Sequence, residues 1–246
     1  MHIRTLNATV GFFCLMIVGA FSQDNPPKVI IGGPPPSLTE QLKLHHVELT
    51  EAGLIKALQS PDAHVRDLAA ARLAEEQDLS AVPAIDDALA KEKVTETRIN
   101  IAFSLALLGQ EKGMQELTRD CDNSKLPGYF RARAAIYMQQ LGNKACFRAA
   151  LDLLSSDPGS REQILSLLPQ YSHPSKGESD EILAATTKCL TDESATVRIQ
   201  ASMALGSLAN PSAIPYLENA IAREQDEVVR SQMQASLEQL AKKRQQ

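Results

Sequence analysis

The chain has 246 residues, of which 43% are hydrophobic, and its 25 Lys and Arg face 30 Asp and Glu, so that the formal net charge is −5. Nucleic-acid binding normally requires a basic patch, and this acidic balance therefore disfavours a DNA or RNA partner.

The first 22 residues have the organisation of a secretory signal peptide. Arg4 provides a positive start, residues 10–21 form an apolar run, and Ala20 and Ser22 are small residues suited to a cleavage site. A membrane-spanning helix needs about 20 apolar residues, so a retained anchor is the alternative rather than the first expectation. The sequence predicts export to the periplasm or the extracellular space, with a mature chain that begins near Gln23. A membrane would be a partner only if the segment stays uncleaved.

The next 15 residues, 23–37, are predicted to be an extended linker because they contain five prolines and two glycines. The linker ends where Ser37 and Glu40 have the spacing of a capping box, which predicts a short helix over 38–48. Everything from 38 to 246 is assigned to one repeat domain.

Six arginines recur along this domain at separations of 32, 33, 30, 37 and 32 positions. We call them the arginine ladder: Arg66, Arg98, Arg131, Arg161, Arg198 and Arg230. Seven positions after each arginine stands a large apolar residue: Leu73, Leu105, Met138, Leu168, Leu205 or Leu237. A fixed period of this length is typical of a solenoid, in which each unit buries its apolar face against its neighbours.

Each unit is predicted to be a pair of helices joined by a tight turn. In the first unit the helices cover 51–59 and 64–75, and Ser60, Pro61 and Asp62 form the turn. The later units are predicted to cover 81–109, 112–142, 143–171, 179–209 and 211–241, with an insertion over 172–178. No stretch alternates between apolar and polar residues at a period of two, so strands are not expected.

The pattern Leu-x-x-Ala-Leu, Asp-x-x-Val-Arg, Ala-Ala and Leu in residues 54–73, which returns from Thr191 onward, resembles the short bacterial HEAT repeat, a type similar to phycobilisome-lyase repeats. The resemblance implies an all-α fold, a right-handed α-α superhelix of about six helical hairpins. Because a solenoid is an extended surface, the expected function is a non-catalytic scaffold that binds a protein partner. The alternative is a lyase-like or isomerase-like enzyme of the phycobilisome-lyase-related kind.

Cysteine and histidine usage indicates neither a metal site nor a disulfide framework. Cys121, Cys146 and Cys189 are widely spaced and fall on apolar positions, so they are expected to be buried thiols, with a Cys121–Cys146 bridge as the alternative. No His-Glu dipeptide occurs, although HEAT-like hydroxylases hold iron through such pairs, and no motif of nucleotide binding or hydrolysis is present. No catalytic residue, metal or cofactor is therefore predicted.

The arginine ladder is expected to be structural, with each arginine pairing with an acidic group or a turn carbonyl of its own or the neighbouring unit. Four aspartates lie four or six positions ahead of their arginines, as that role requires: Asp62, Asp157, Asp192 and Asp226. A binding surface is expected on the outward positions of the second helices. These include Arg72, Asn100, Ser104, Arg133, Tyr137, Gln200, Ser207, Gln234 and Glu238.

The predicted partner-binding residues are Arg133, Tyr137, Tyr129 and Phe130, because tyrosine and arginine are enriched among residues that dominate binding energy. They lie in the third unit, which departs from the repeat pattern, as does the fourth. Partner contact and the weakest part of the array are both expected over residues 124–178.

Overall fold

The structure is a computed structural model that describes residues 36–171, 174–208 and 210–243. The predicted signal peptide over 1–22 and nearly all of the linker over 23–37 lie outside the described residues. The described part of the chain contains thirteen α-helices and no strand. None of these helices is both long enough and apolar enough to cross a membrane.

The helices in chain order are α1 (Leu38–Leu44), α2 (Glu51–Ala57), α3 (Ala63–Glu75), α4 (Val82–Lys91), α5 (Thr95–Leu107), α6 (Glu111–Asp122), α7 (Gly128–Gln140), α8 (Phe147–Ser156), α9 (Arg161–Leu167), α10 (Lys176–Thr186), α11 (Ala195–Ser207), α12 (Ile214–Arg223) and α13 (Glu227–Lys243). Short 3-10 helices cover Leu79–Ala81, Pro158–Ser160, Leu168–Gln170, Thr187–Thr191 and Pro211–Ala213.

The helices after α1 form six hairpins that stack in two layers. The even-numbered helices from α2 to α12 make up the first-helix layer, and the odd-numbered helices from α3 to α13 make up the second-helix layer. Each second helix contacts the next one, through the pairs α3–α5, α5–α7, α7–α9, α9–α11 and α11–α13. The predicted all-α superhelix of about six hairpins is confirmed.

The apolar positions seven residues after each arginine form the core between the layers. Leu73, Leu105, Met138 and Leu205 are at most 1% exposed. Leu237 in α13 is only half-buried, because no helix among the described residues packs against α13 from the far side. The core therefore follows the repeat period through the described units.

Helix starts follow the local capping chemistry. The predicted capping box of Ser37 and Glu40 is present at the start of α1. A second capping box, which sequence reasoning missed, joins Ser175 to Glu178 and starts α10 at Lys176. The first helix of the fifth unit therefore begins at Lys176, inside the stretch 172–178 predicted to be an insertion and not at 179; residues 172 and 173 lie outside the described residues.

The expectation that all three cysteines are free thiols is wrong for two of them. Cys121 at the end of α6 and Cys146 just before α8 form a disulfide, with their Cα atoms 5.9 Å apart. Stacking brings the two first helices together across the intervening α7, and the spacing of 25 residues along the chain could not indicate this approach. Cys189 is a buried free thiol, as predicted.

The fourth unit is the least regular, as its sequence predicted. Its second helix, α9, ends at Leu167 and continues as the 3-10 helix Leu168–Gln170. Pro169 has no backbone N–H and cannot extend an α-helical hydrogen-bond pattern. The unit nevertheless keeps both helices and the buried Leu168, which is 4% exposed.

Candidate functional site

The arginine ladder forms links between consecutive units. Nε and Nη2 of Arg198 in α11 donate to the two carboxylate oxygens of Glu224, at 2.6 and 3.0 Å. Nη1 of the same side chain donates to the backbone carbonyls of Asp192 and Glu193, at 2.9 and 3.1 Å. The hydrogen bond from Arg198 lowers the pKa of Glu224 below its usual value. One guanidinium thus joins the turn of its own unit to the end of the next first helix.

The first unit repeats this arrangement. Arg66 donates to both carboxylate oxygens of Glu92, at 2.7 and 2.8 Å, and to the carbonyls of Ser60 and Pro61. Glu92 and Glu224 each lie 26 residues after their arginine, directly after a first helix. The prediction that the arginines are structural agrees with these contacts.

The other four ladder arginines use part of the same pattern. Arg98 donates to Asp120 and Glu116, Arg131 to the carbonyl of Cys121, Arg161 to Asp192 and the carbonyl of Leu154, and Arg230 to the carbonyl of Glu224. Every one of them donates to the end of a first helix or to a turn beside it.

The predicted bonds to turn carbonyls and to an acidic group of a neighbouring unit are present, but three of the four named aspartates form no ion pair with a ladder arginine among the described residues. Asp62 and Asp226 accept hydrogen bonds from amides at the start of their own second helices, and Asp157 accepts one from the hydroxyl of Ser160. The side chain of Asp192 pairs with Arg161 of the preceding unit, at 2.5 Å, while its backbone carbonyl accepts from Arg198. Asp62 and Asp226 cap helices, whereas the arginines face the first-helix layer, where carboxylates of the following unit come within reach.

Three of the four predicted partner-binding residues come together at the start of α7. The guanidinium of Arg133 lies over the ring of Tyr129, with Cζ 4.8 Å from the ring centre, and also donates to the Tyr129 hydroxyl. It forms an ion pair with Glu96 of α5, at 2.5 Å. Tyr129 is 39% exposed, and its ring meets the half-buried ring of Phe130 edge to face. We call Glu96, Tyr129 and Arg133 the Arg133 cluster.

Tyr137 lies one turn after Arg133 on the same helix and belongs to a second hydrogen-bond network, which interacts electrostatically with Arg133. Its ring stacks on Phe103 with centres 4.1 Å apart, and its hydroxyl donates to the side-chain oxygen of Asn100 at 2.8 Å. The amide nitrogen of Asn100 in turn donates to Asp67 at 2.8 Å. This chain of hydrogen bonds joins the second helices of three consecutive units.

Asp67 is the functional candidate that the sequence did not indicate. Burial raises the pKa of its carboxyl to about 6, while the hydrogen bond from Asn100 and the charge of Arg133 oppose that rise. The carboxyl of Asp67 would therefore gain or lose its proton close to neutral pH. In the sequence, the only sign of this residue was its position directly after Arg66. That position does not show that Asn100 and Tyr137, from two other units, complete its hydrogen-bond network.

The residues of the expected binding surface differ widely in how exposed they are. Gln234 and Glu238 are exposed and Gln200 is half-buried, but Ser104 is only 3% exposed and donates to a backbone carbonyl of its own helix. Arg72 forms ion pairs with acidic residues one turn further along α3. We call the side of the second-helix layer that faces away from the first helices the open face.

A cleft of about 450 Å³ lies on the other layer, between α2, α4 and the turn after α4. Its apolar lining includes Ile55, Leu58 and Val94, and its polar lining includes Arg66 and Glu92. The cleft contains neither Asp67 nor any predicted partner-binding residue. In the described ranges, no group of three or more His, Cys, Asp or Glu side chains is placed to hold a metal ion.

Comparison with known proteins identifies the repeat type. A family model for HEAT repeats matches residues 148–238, so the resemblance seen in the sequence is confirmed. No curated protein matches the chain.

Two solved structures give likenesses of the fold. The complex of CpcE and CpcF of phycocyanin lyase from Nostoc sp. PCC7120 is 20% identical, with a TM-score of 0.38 over 90% of this chain and 100% of that chain. Human deoxyhypusine hydroxylase in complex with glycerol is 17% identical, with a TM-score of 0.29 over 78% of this chain and 84% of that chain. Neither likeness carries an argument about function.

Proposed function

We propose that this HEAT-repeat chain is an exported, non-catalytic scaffold that binds another protein through the open face. The observation that carries the proposal is the Arg133 cluster, in which a cation, a tyrosine and a carboxylate are held together at the surface. Arginine and tyrosine are enriched among residues that dominate binding energy. Because Glu96 and Tyr129 already hold the guanidinium, a partner would lose less side-chain entropy on binding it.

The alternative, a lyase-like enzyme, is favoured by one observation, the pKa of about 6 at Asp67. A general acid or base works best when its pKa lies near the working pH. One oxygen of Asp67 is, however, engaged by Asn100, and the 450 Å³ cleft does not include Asp67. The scaffold accounts for the exposed cluster and needs no substrate pocket.

Export is supported by the Cys121–Cys146 disulfide, because disulfides persist in oxidising compartments and are rare in the cytosol. N-terminal sequencing of the protein from its native host should find a chain that begins near Gln23. A chain that keeps Met1 and sediments with membranes would favour the anchored scaffold instead.

The binding role is tested by capture from the native envelope fraction with wild-type protein and two arginine variants. Arg133→Ala should lower recovery of the partner at least about tenfold, the usual effect of losing a dominant contact. Arg148→Ala is the matched control, because Arg148 is 83% exposed, also pairs with a glutamate, and lies on α8 in the first-helix layer. Equal recovery with Arg133→Ala and wild-type protein would contradict the proposed site.

A further inference from the structure

One position of the second helices carries a long polar side chain in five consecutive units. It comes two residues after the ladder arginine and is occupied by Asn100, Arg133, Gln163, Gln200 and Gln232. All five are half-buried. The first unit has Leu68 instead, which is 6% exposed.

Helix geometry places this position on the open face. Each residue of an α-helix turns the chain by about 100°, so two residues correspond to about 200°. Because the ladder arginine points toward the first-helix layer, the residue two positions later points away from it. The five side chains therefore form a line across the stacked second helices. We call Gln163, Gln200 and Gln232 the amide row.

The two halves of this line differ in what their side chains bind. Asn100 donates to Asp67 and accepts from Tyr137, and Arg133 binds Glu96 and Tyr129. Among the residues that the structure describes, the amide row has no such partners. The side-chain oxygen of Gln163 is buried and accepts no hydrogen bond within the described residues.

An unpaired buried amide oxygen is unusual, because native proteins pair nearly all such groups. The side chains of Gln200 and Gln232 likewise form no hydrogen bond to any described residue, although each is half-buried. Three units in succession thus carry, at the same place, a carboxamide that no described residue engages.

A carboxamide presents one carbonyl oxygen and N–H donors, which is the complement of a backbone peptide group. Packed helices lie about 8–10 Å apart, and an extended chain advances about 3.3 Å per residue. Successive amides therefore match about every third peptide group of a strand that crosses the helices. Met203, which is 43% exposed on α11, adds a flexible apolar contact beside Gln200.

We propose that the amide row binds the main chain of an extended segment of the partner protein, about seven residues long by this spacing. The inference rests on the proposed scaffold function and assigns it a mode of recognition. Uncharged amides do not select an ionic ligand, and the chain's net charge of −5 opposes a nucleic-acid strand. Because the backbone supplies the hydrogen bonds, many side-chain sequences should be accepted, as in β-strand addition.

The test uses a display library of random linear twelve-residue peptides, selected against the full chain with its disulfide intact. Selected peptides are then measured against the triple variant Gln163→Leu, Gln200→Leu and Gln232→Leu. The matched control makes the same change at three exposed glutamines away from the open face: Gln59, Gln115 and Gln225. Circular dichroism and thermal denaturation establish that both triple variants are folded.

We expect the amide-row variant to lose at least about tenfold in affinity, since each neutral hydrogen bond contributes about two- to tenfold. The control variant should bind like wild type. N-methylation of every third backbone amide of the best peptide should cause a similar loss, because it removes backbone N–H donors.

Three results would overturn the inference. The selected peptides could bind both triple variants equally well. They could depend on Arg133 but not on the glutamines. The chain could instead form dimers in sedimentation that the amide-row variant abolishes, which would assign the face to a second copy. If partner capture remains sensitive to Arg133→Ala while the amide-row variant captures normally, this inference fails and the proposed function stands.

Discussion

The link between the fifth and sixth units gives the sharpest test of how the array is held together. Arg198→Ala removes four hydrogen bonds and leaves the carboxylate of Glu224, which is 7% exposed, without its cation. Breaking a buried ion pair from one side costs about 3–5 kcal/mol. Because the side chain of Arg198 is 16% exposed, we expect the lower end, about 3 kcal/mol.

The last ladder arginine provides a matched control within the same protein. Arg230 donates to the backbone carbonyl of Glu224 at 3.0 Å, and among the described residues no seventh unit follows to supply a buried carboxylate. Arg230→Ala should therefore cost only about 1 kcal/mol, the usual net contribution of one hydrogen bond. The comparison separates the free energy contributed by the ion pair between units from that contributed by the hydrogen bond to the turn.

Thermal denaturation followed by circular dichroism measures the difference. A chain of this size shifts its melting temperature by about 2–4 °C for each kcal/mol, so Arg198→Ala should lower it by about 6–12 °C. Adding Glu224→Gln to Arg198→Ala should recover part of the loss, because a neutral amide costs less to bury unpaired than a carboxylate. Equal shifts for Arg198→Ala and Arg230→Ala would refute the reasoning.

Three further predictions follow from single contacts. Burial raises the pKa of Asp67 from 3.8 to about 6, so between about pH 4 and pH 6 the folded protein binds more protons than the unfolded chain and loses stability as the pH rises. Asp67→Asn should therefore be more stable than wild type above pH 6, by at most about 3 kcal/mol. Near pH 4 the two proteins should have similar free energies of unfolding in urea titrations. Replacing Cys121 and Cys146 by serine should lower the free energy of unfolding by about 3 kcal/mol, which corresponds to the entropy of closing a loop of 25 residues. Backbone hydrogen exchange should become faster mainly in the third and fourth units. Unchanged exchange in those units would contradict this prediction. Gly113→Ala should cost about 1–3 kcal/mol in thermal denaturation, because its Cβ would lie 2.4 Å from a backbone oxygen of α5, whereas Gly177→Ala meets nothing within 4 Å and should be harmless.

The disulfide changes the expectation for the middle of the array. The irregular sequences of the third and fourth units predict that this region opens first, since stability in a stack is the sum of unit and interface terms. The bond between α6 and α8 crosses the boundary between those units and constrains the unfolded chain. We therefore expect fast exchange over 124–178 only after reduction.

The sequence predicted the features that depend on periodicity along one helix. The buried positions of Leu73, Leu105 and Leu205 follow from the 3.6-residue turn, which fixes the face of a helix on which each residue lies. The first capping box followed from a spacing of three residues, and the second one at Ser175 was present in the same form. These are local relations that a single segment specifies.

Only the tertiary structure decided which side chains meet. Glu224 lies 26 residues beyond Arg198, and Cys146 lies 25 residues beyond Cys121, and both distances are spanned by an intervening helix. Asp67 acquires its raised pKa from burial by neighbouring units, which its own helix does not reveal. Such contacts depend on the distance and rotation between stacked hairpins. The repeat pattern fixes the order of the units, whereas side-chain packing at each interface sets their spacing and determines which partners come within bonding distance.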